Sequence, residues 1–243
     1  MRDKKPVFQK SKPFGGIAGL DRLSKLKKYA PLLGMGIFPV MGALYALVNG
    51  PRERVHSLVT EVDRMIPMVK AFAIPYSIWI VFIYICVIYY LKHDKKVYYE
   101  CLITYVLCAM SCYGIYLVFQ TTVPRPVLYG NDPLTELIRY IYRRDQPFNA
   151  FPSIHCFSCI LVMRALYTSK FKTWLNQLLI YGVAGSIVLS TLFVKQHVVL
   201  DVVAAFVLVQ IIHRLVVWQS QAGWPMFRKL AAQARQAREA RNL

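Results

Sequence analysis

The chain has 243 residues, 56% of them hydrophobic and 17% charged, with a formal net charge of +18 and a mean hydropathy of +0.39. That balance excludes an ordinary water-soluble domain. A basic excess is also the footprint of nucleic-acid binding, but an RNA-binding chain has no need of several apolar stretches of about 20 residues, so the composition predicts an all-α polytopic membrane protein with lipid rather than nucleic acid as its partner.

Residues 1–29 form a basic tail. Leu20, Leu23 and Leu26 recur there among lysines, a pattern that fits either an amphipathic helix on anionic headgroups or a solvated flank that only sets topology. Ala30 to Val48 is the first apolar span; it exceeds a signal-peptide core and no small-x-small site follows it, so it is expected to be a retained anchor. Residues 49–71 are polar with a few apolar side chains and predict an interfacial helix that stops at Pro67. Phe72 to Leu91 and Tyr98 to Gln120, joined by "KHDKK", are the second and third spans.

Residues 121–151 are rich in turn formers and carry Arg125, Arg139, Arg143 and Arg144, and "IRYIYRRD" leads through Asp145 and Asn149 toward the next span. Pro152 to Thr168 is the fourth span and a short one; Leu175 to Val194 and Val198 to Trp218 are the fifth and sixth. Residues 219–243 form an Ala-rich basic tail with Arg235, Arg238 and Arg241 at threefold spacing. With no internal repeat, residues 30–218 read as one six-helix domain between two tails.

Six spans place both termini on one side. That side holds 21 of the 30 Lys and Arg residues, in the tail before Ala30, in "KHDKK", at Arg164, Lys170 and Lys172, and from Arg214 onward. The positive-inside rule therefore predicts both termini in the cytoplasm, with residues 49–71, 121–151 and 195–197 on the far side. The four arginines of the long outer loop run against that rule, which marks the loop as functional. All six cysteines fall within spans, which excludes a secreted disulfide framework, and Cys156 and Cys159 read as small packing residues. A bacterial cytoplasmic membrane is the expected location, although an internal eukaryotic membrane obeys the same charge rule.

Three polar groups fall at one level, the predicted outer boundary: Arg125 in "VPRP", Ser153 and His155 in "FPSIH", and the run "STLFVKQHVVLD" from Ser190 to Asp201. Pro152 suits the first position of a helix whose free N–H groups make an anion site. His197 and Asp201, four apart, stack on one helix face, so that the carboxylate fixes the imidazole tautomer. An acid within an apolar run marks function by default. The set suits phosphoryl transfer without a metal or cofactor: His197 attacks phosphorus, Asp201 orients it and His155 protonates the departing oxygen. Arg125, Lys195, Ser153 and the helix N-terminus then stabilise the phosphoryl oxygens. A zinc site made of His155, His197 and Asp201 is the alternative on ligand types. His56, His93 and His213 lie outside this level and are expected at the surface or the interface.

Pro152-Ser153-Ile154-His155 together with Ser190, His197 and Asp201 resembles the type 2 phosphatidic acid phosphatase superfamily, and the likeness covers roughly residues 72–218 in order and topology. The resemblance implies a six-helix membrane core and a lipid phosphate phosphatase, and it adds Ser190 to the phosphate-binding residues. Two family cations are missing: the first-motif lysine falls at Val118, leaving Arg125-Pro126, and the third-motif arginine falls at Thr191. Lys195, Gln120 and the arginines at 139–144 are the candidate substitutes. Loss of cations also fits the related lipid phosphotransferases, such as sphingomyelin and inositol phosphorylceramide synthases. A protein that binds or transports a phospholipid without cleaving it is the reading from another class. Neither the particular lipid nor the oligomeric state is specified by the residues.

Overall fold

The computed structural model describes residues 30–223 and, beyond them, residues 228, 232, 233 and 236. The expected helices around Leu20, Leu23 and Leu26 and around Arg235, Arg238 and Arg241 lie outside the described residues. The chain divides into two compact units, Met1–Gly34 and Met35–Leu243. Of the first, residues 30–34 are described, and they open a 3-10 segment, Ala30–Gly36.

The second unit is helical. Its elements in chain order are α1 (Ile37–Val48), α2 (Glu61–Met65), α3 (Ala73–Ser77), α4 (Trp79–His93), α5 (Lys95–Val118), α6 (Pro133–Arg144), α7 (Ile154–Thr168), α8 (Trp174–Phe193) and α9 (Val199–Gln221). Two short parallel strands, β1 (His56–Ser57) and β2 (Thr121–Thr122), pair the loops at 49–71 and 121–151. Five segments are long and apolar enough to cross a bilayer: Ala30–Val48, Lys70–His93, Lys95–Val118, Trp174–Phe193 and Val199–Gln221. The chain is an integral membrane protein. The expected fourth span is the 15-residue α7, apolar but shorter than the others.

That shortness matches its place. Helix α7 packs against α4, α5, α8 and α9, and most of its residues are buried by protein. Small side chains let these backbones approach closely: Ala165 on α7, Ala184 on α8, Ala205 on α9 and both Cys156 and Cys159 have no exposed surface. On α9 the inward face is Asp201, Ala205, Val209, His213, Val216 and Ser220, one residue per helical turn. His213 is therefore buried, contrary to the surface position expected for it; it belongs to the same stripe as Asp201.

Two further features depart from the sequence reading. The second span is broken: a 3-10 turn, Lys70–Phe72, leads into α3, which ends at Ser77, and α4 begins at Trp79. Pro75 lies inside that broken stretch and has no N–H to continue a ladder. The long loop at 121–151 carries α6, which begins with the Asp132 side chain accepting from the Thr135 N–H and with Pro133 in the first turn. The helix expected before Pro67 is α2, at whose start the Asp63 carboxylate accepts from the Thr60 N–H at 2.8 Å and from the Thr60 hydroxyl at 2.6 Å.

Candidate active site

Two short segments deliver the polar residues, and each is turned by a non-glycine residue in the left-handed region: Asn149 at φ 59° and Lys195 at φ 55°. Both are pinned. The buried Asn149 side chain donates to the Val48 carbonyl at 3.1 Å and accepts from Gln120 Nε2 at 2.9 Å. The Lys195 ammonium donates to the carbonyls of Asp63 at 3.0 Å and Ile66 at 2.5 Å. Just after Asn149, the Phe151 N–H donates to the Thr121 hydroxyl at 2.9 Å and the Tyr116 hydroxyl donates to the Pro152 carbonyl. Tethers from four elements thus fix where "FPSIH" and "KQH" present their side chains.

At the second segment, His197 Nδ1 lies 3.1 Å from Asp201 Oδ2, which also accepts the Val198 N–H at 3.0 Å. An ionised carboxylate only accepts, so Nδ1 carries the proton and Nε2 keeps its lone pair. Asp201 is fully buried and His197 is 8% exposed. Among the described residues no group of three His, Cys, Asp or Glu side chains is placed to hold a metal ion, so His155, His197 and Asp201 are not gathered as the zinc alternative requires.

His155 faces His197 with ring centroids 5.6 Å apart. Its ring is held between Trp79, at 4.1 Å, and Tyr76, at 4.7 Å. The break at Ile78 is what brings both aromatics to it. Trp79 is fixed in turn by donating to the Ser158 hydroxyl at 2.7 Å, on the next turn of α7. Asp145 approaches from the end of α6, with Oδ2 3.9 Å from His155 Nε2, and accepts from the Tyr76 hydroxyl at 2.7 Å. Asp145 is the counter-charge available to His155 in its protonated form, as Asp201 is for His197. Both histidines line a cavity of about 500 Å³ whose walls also include Asp145, Arg144 and Gln196 and which continues inward between Phe38, Tyr84, Tyr105 and Tyr113.

The other sequence-derived candidates are placed as follows. Ser153, without exposed surface, caps α7 by accepting the Cys156 N–H at 3.2 Å; Pro152 precedes the cap instead of opening the helix. Ser190 is fully buried and donates to the Ile187 carbonyl at 2.6 Å. Lys195 is directed at the loop at 49–71, through the carbonyls of Asp63 and Ile66. Arg125 lies behind the cavity wall, stacked over Tyr142 at 4.4 Å and donating to the carbonyls of Tyr142 and Asp145 and to Gln196 Oε1. Burial draws its guanidinium below the usual arginine value, against the pull of nearby Asp145. Gln120 is a scaffold group, donating also to the Gly50 carbonyl at 2.8 Å. Of the arginines at 139–144, Arg144 lines the cavity, while Arg139 is bonded within its own loop.

Sequence reasoning missed Gln196 and Asp63. Gln196 is 5% exposed, lines the cavity and leaves its Nε2 without a hydrogen-bond partner among the described residues. Asp63 accepts the Val199 N–H at 2.7 Å and so caps α9 one turn from His197. Burial would raise the Asp63 carboxyl, but hydrogen bonds from Thr60 and Val199 and the charge of Lys195 together hold it below its ordinary value.

The family model described as the PAP2 superfamily matches residues 53–215, which contain His155, His197, Asp201, Asp145, Arg125, Gln196 and Asp63. The chain belongs to the PAP2 superfamily. At that level it is a lipid enzyme of the phosphatase or phosphotransferase type. No curated protein and no solved structure matches the chain. The sequence likeness drawn from "PSIH" and from Ser190, His197 and Asp201 is thus shown at superfamily level, and the PAP2 superfamily match begins ahead of the second span and takes in Asp63 of the loop at 49–71.

Proposed function

We propose that the protein is a metal-independent lipid phosphate phosphatase that hydrolyses a phosphomonoester or diphosphate lipid through a phosphohistidine. The supporting observation is the opposition of two histidines across one cavity, with the lone pair of His197 Nε2 left available by the Nδ1 bond to Asp201. His197 Nε2 attacks phosphorus, the bond from phosphorus to the lipid oxygen breaks, and the proton of His155 goes to that oxygen. His155, now neutral, takes a proton from water; the resulting hydroxide oxygen attacks phosphorus, the P–N bond breaks, and inorganic phosphate leaves. The aromatic inner part of the cavity suits an apolar chain, which keeps the phosphorus near the histidines. Both termini are cytoplasmic and the site faces the other side of the membrane, a bacterial cytoplasmic membrane by preference; the Lys and Arg distribution supports this.

One observation favours a second reading, transfer of a phosphoryl headgroup to a lipid alcohol. Arg144 is the one permanent cation among the described residues lining the cavity, and Asp145 is beside it. A phosphodiester donor, with one negative charge, needs less cationic compensation than a phosphomonoester dianion.

The purified protein, incubated in chelator with a panel of lipid phosphates, releases inorganic phosphate, and His197→Ala or His155→Ala abolishes the release. Acid-labile phosphate is trapped on His197. Product formed only when diacylglycerol or ceramide accompanies a phospholipid donor selects the transferase. Binding across the panel without turnover under either condition refutes both and leaves a phospholipid-binding or transport protein.

A further inference from the structure

We infer that Gln196 is a direct ligand of the phosphoryl oxygens and that Arg125 acts through it, as a positioning residue, instead of touching the phosphate itself. This deepens the phosphoryl-transfer reading and rests on it.

The orientation of the Gln196 amide is decided by its neighbour. Arg125 Nη2 meets the amide at the atom assigned as Oε1. A guanidinium has donors only, so the atom it meets must be the oxygen, and the amide cannot be flipped. The Nε2 group is therefore directed away from Arg125. It is buried and has no hydrogen-bond partner among the described residues, while Gln196 lines the same cavity as His155 and His197. A buried donor left unpaired costs stability unless something binds it. Acceptor oxygens brought by a ligand would satisfy it, and a phosphoryl group brings three.

Local backbone supports the same assignment. The N–H groups of Gln196 and His197 both donate to the Thr191 carbonyl at 3.0 Å, which locks the turn after the left-handed Lys195. The donor and the attacking imidazole are thus adjacent residues on one rigid turn. Arg125 is itself held by the Tyr142 and Asp145 carbonyls and by the face of Tyr142. A charged group bonded to the far end of the amide also polarises it, so that Nε2 becomes a better donor. The chain lacks two of the usual cations of the superfamily pattern, and an arginine-backed amide takes over part of their task.

The test follows side-chain amide signals of glutamine and ring signals of histidine by NMR, on the full chain in detergent micelles, during titration with inorganic phosphate and with orthovanadate. Gln196 and His197 signals are assigned from Gln196→Met and His197→Ala. The expected result is a saturable shift of the Gln196 NH2 pair together with the His197 ring. Movement of His197 while Gln196 stays fixed overturns this inference alone; no movement of either overturns the phosphoryl-binding reading beneath it.

In turnover, Gln196→Met, which keeps shape and loses the donor, is expected to lower kcat by about 10²- to 10³-fold, the usual effect of one lost oxyanion donor. Arg125→Met lowers it in the same sense, and in the double variant Arg125→Met adds little beyond Gln196→Met. Full multiplication of the two losses shows that Arg125 does not act through Gln196. The histidine signals outside the site, from His56 and His93, check that each variant keeps the native fold.

Discussion

Helices α5 and α9 run the length of the bundle, and both of their ends bury polar groups, with opposite results. At the end described above, His197 and Asp201 stand at the start of α9 beside Tyr116, near the end of α5. At the other end, Glu100 of α5 accepts from Ser220 of α9 and lies 3.7 Å from Lys96, while His213 sits with 1% exposure. Each end thus holds a buried acid and a buried histidine within apolar helices, the pattern that marks function by default. At the Glu100 end, however, the acid is met by a hydroxyl and a surface lysine, and neither it nor His213 lines the cavity. A buried titratable pair becomes a site when its reactive lone pair faces open volume. His197 meets that condition because Asp201 occupies the other ring nitrogen.

The comparison breaks most sharply at its two histidines. Replacing His197 by alanine is expected to cost turnover about 10⁴- to 10⁶-fold, whereas His213→Leu leaves it within about threefold, in a phosphate-release assay normalised to folded protein. A large loss from His213→Leu would mean that the Glu100 end takes part in the chemistry. The acids sharpen the same contrast. Asp201→Asn keeps the shape but permits the wrong tautomer of His197, for an expected loss of about 10²- to 10⁴-fold in kcat, while Glu100→Gln changes kcat little.

The rate should also depend on pH as a bell, since one histidine has to be neutral as the other carries a proton. A flat rate from pH 5 to 9 would remove those roles.

The smallest effect expected is on stability. Asp63→Asn loses a charged acceptor at the start of α9 and at the start of α2, for about 1 to 2 kcal/mol by thermal unfolding. Because the Asp63 carboxyl is held below its ordinary value of 3.8 in the folded protein, its contribution is complete above that value and is lost as pH falls through the lower folded value. The variant should therefore show a weaker loss of stability on acidification than the parent chain.

Much of this was legible in residue order. Apolar runs of bilayer length located the long helices, and the spacing of His197 and Asp201 foretold their hydrogen bond. The α6 cap is written in the sequence as Asp132-Pro133, a start signal set among turn formers. The burial of His213 was legible too, as the fourth member of the stripe from Asp201. Lys195 and Arg125 show the limit. Both are cations close in sequence to site motifs, yet one donates to carbonyls of the loop at 49–71 and the other stands behind an amide. Residue type offered charge, but the direction of a long side chain depends on which unpaired carbonyls lie within its reach.

Residue order by itself determined a helical membrane protein, because bilayer length and helical period act between near neighbours, and its motifs at 152–155 and 190–201 carried the likeness to the PAP2 superfamily. Tertiary structure alone decided that Asp145 meets His155, that Gln196 rather than Lys195 lines the cavity, and that Asp63 caps the helix bearing Asp201. Those pairings join residues 10 to 136 positions apart. Their geometry is set by how the loops at 49–71 and 121–151 fold back onto the helix ends, where each buried polar group must find a partner.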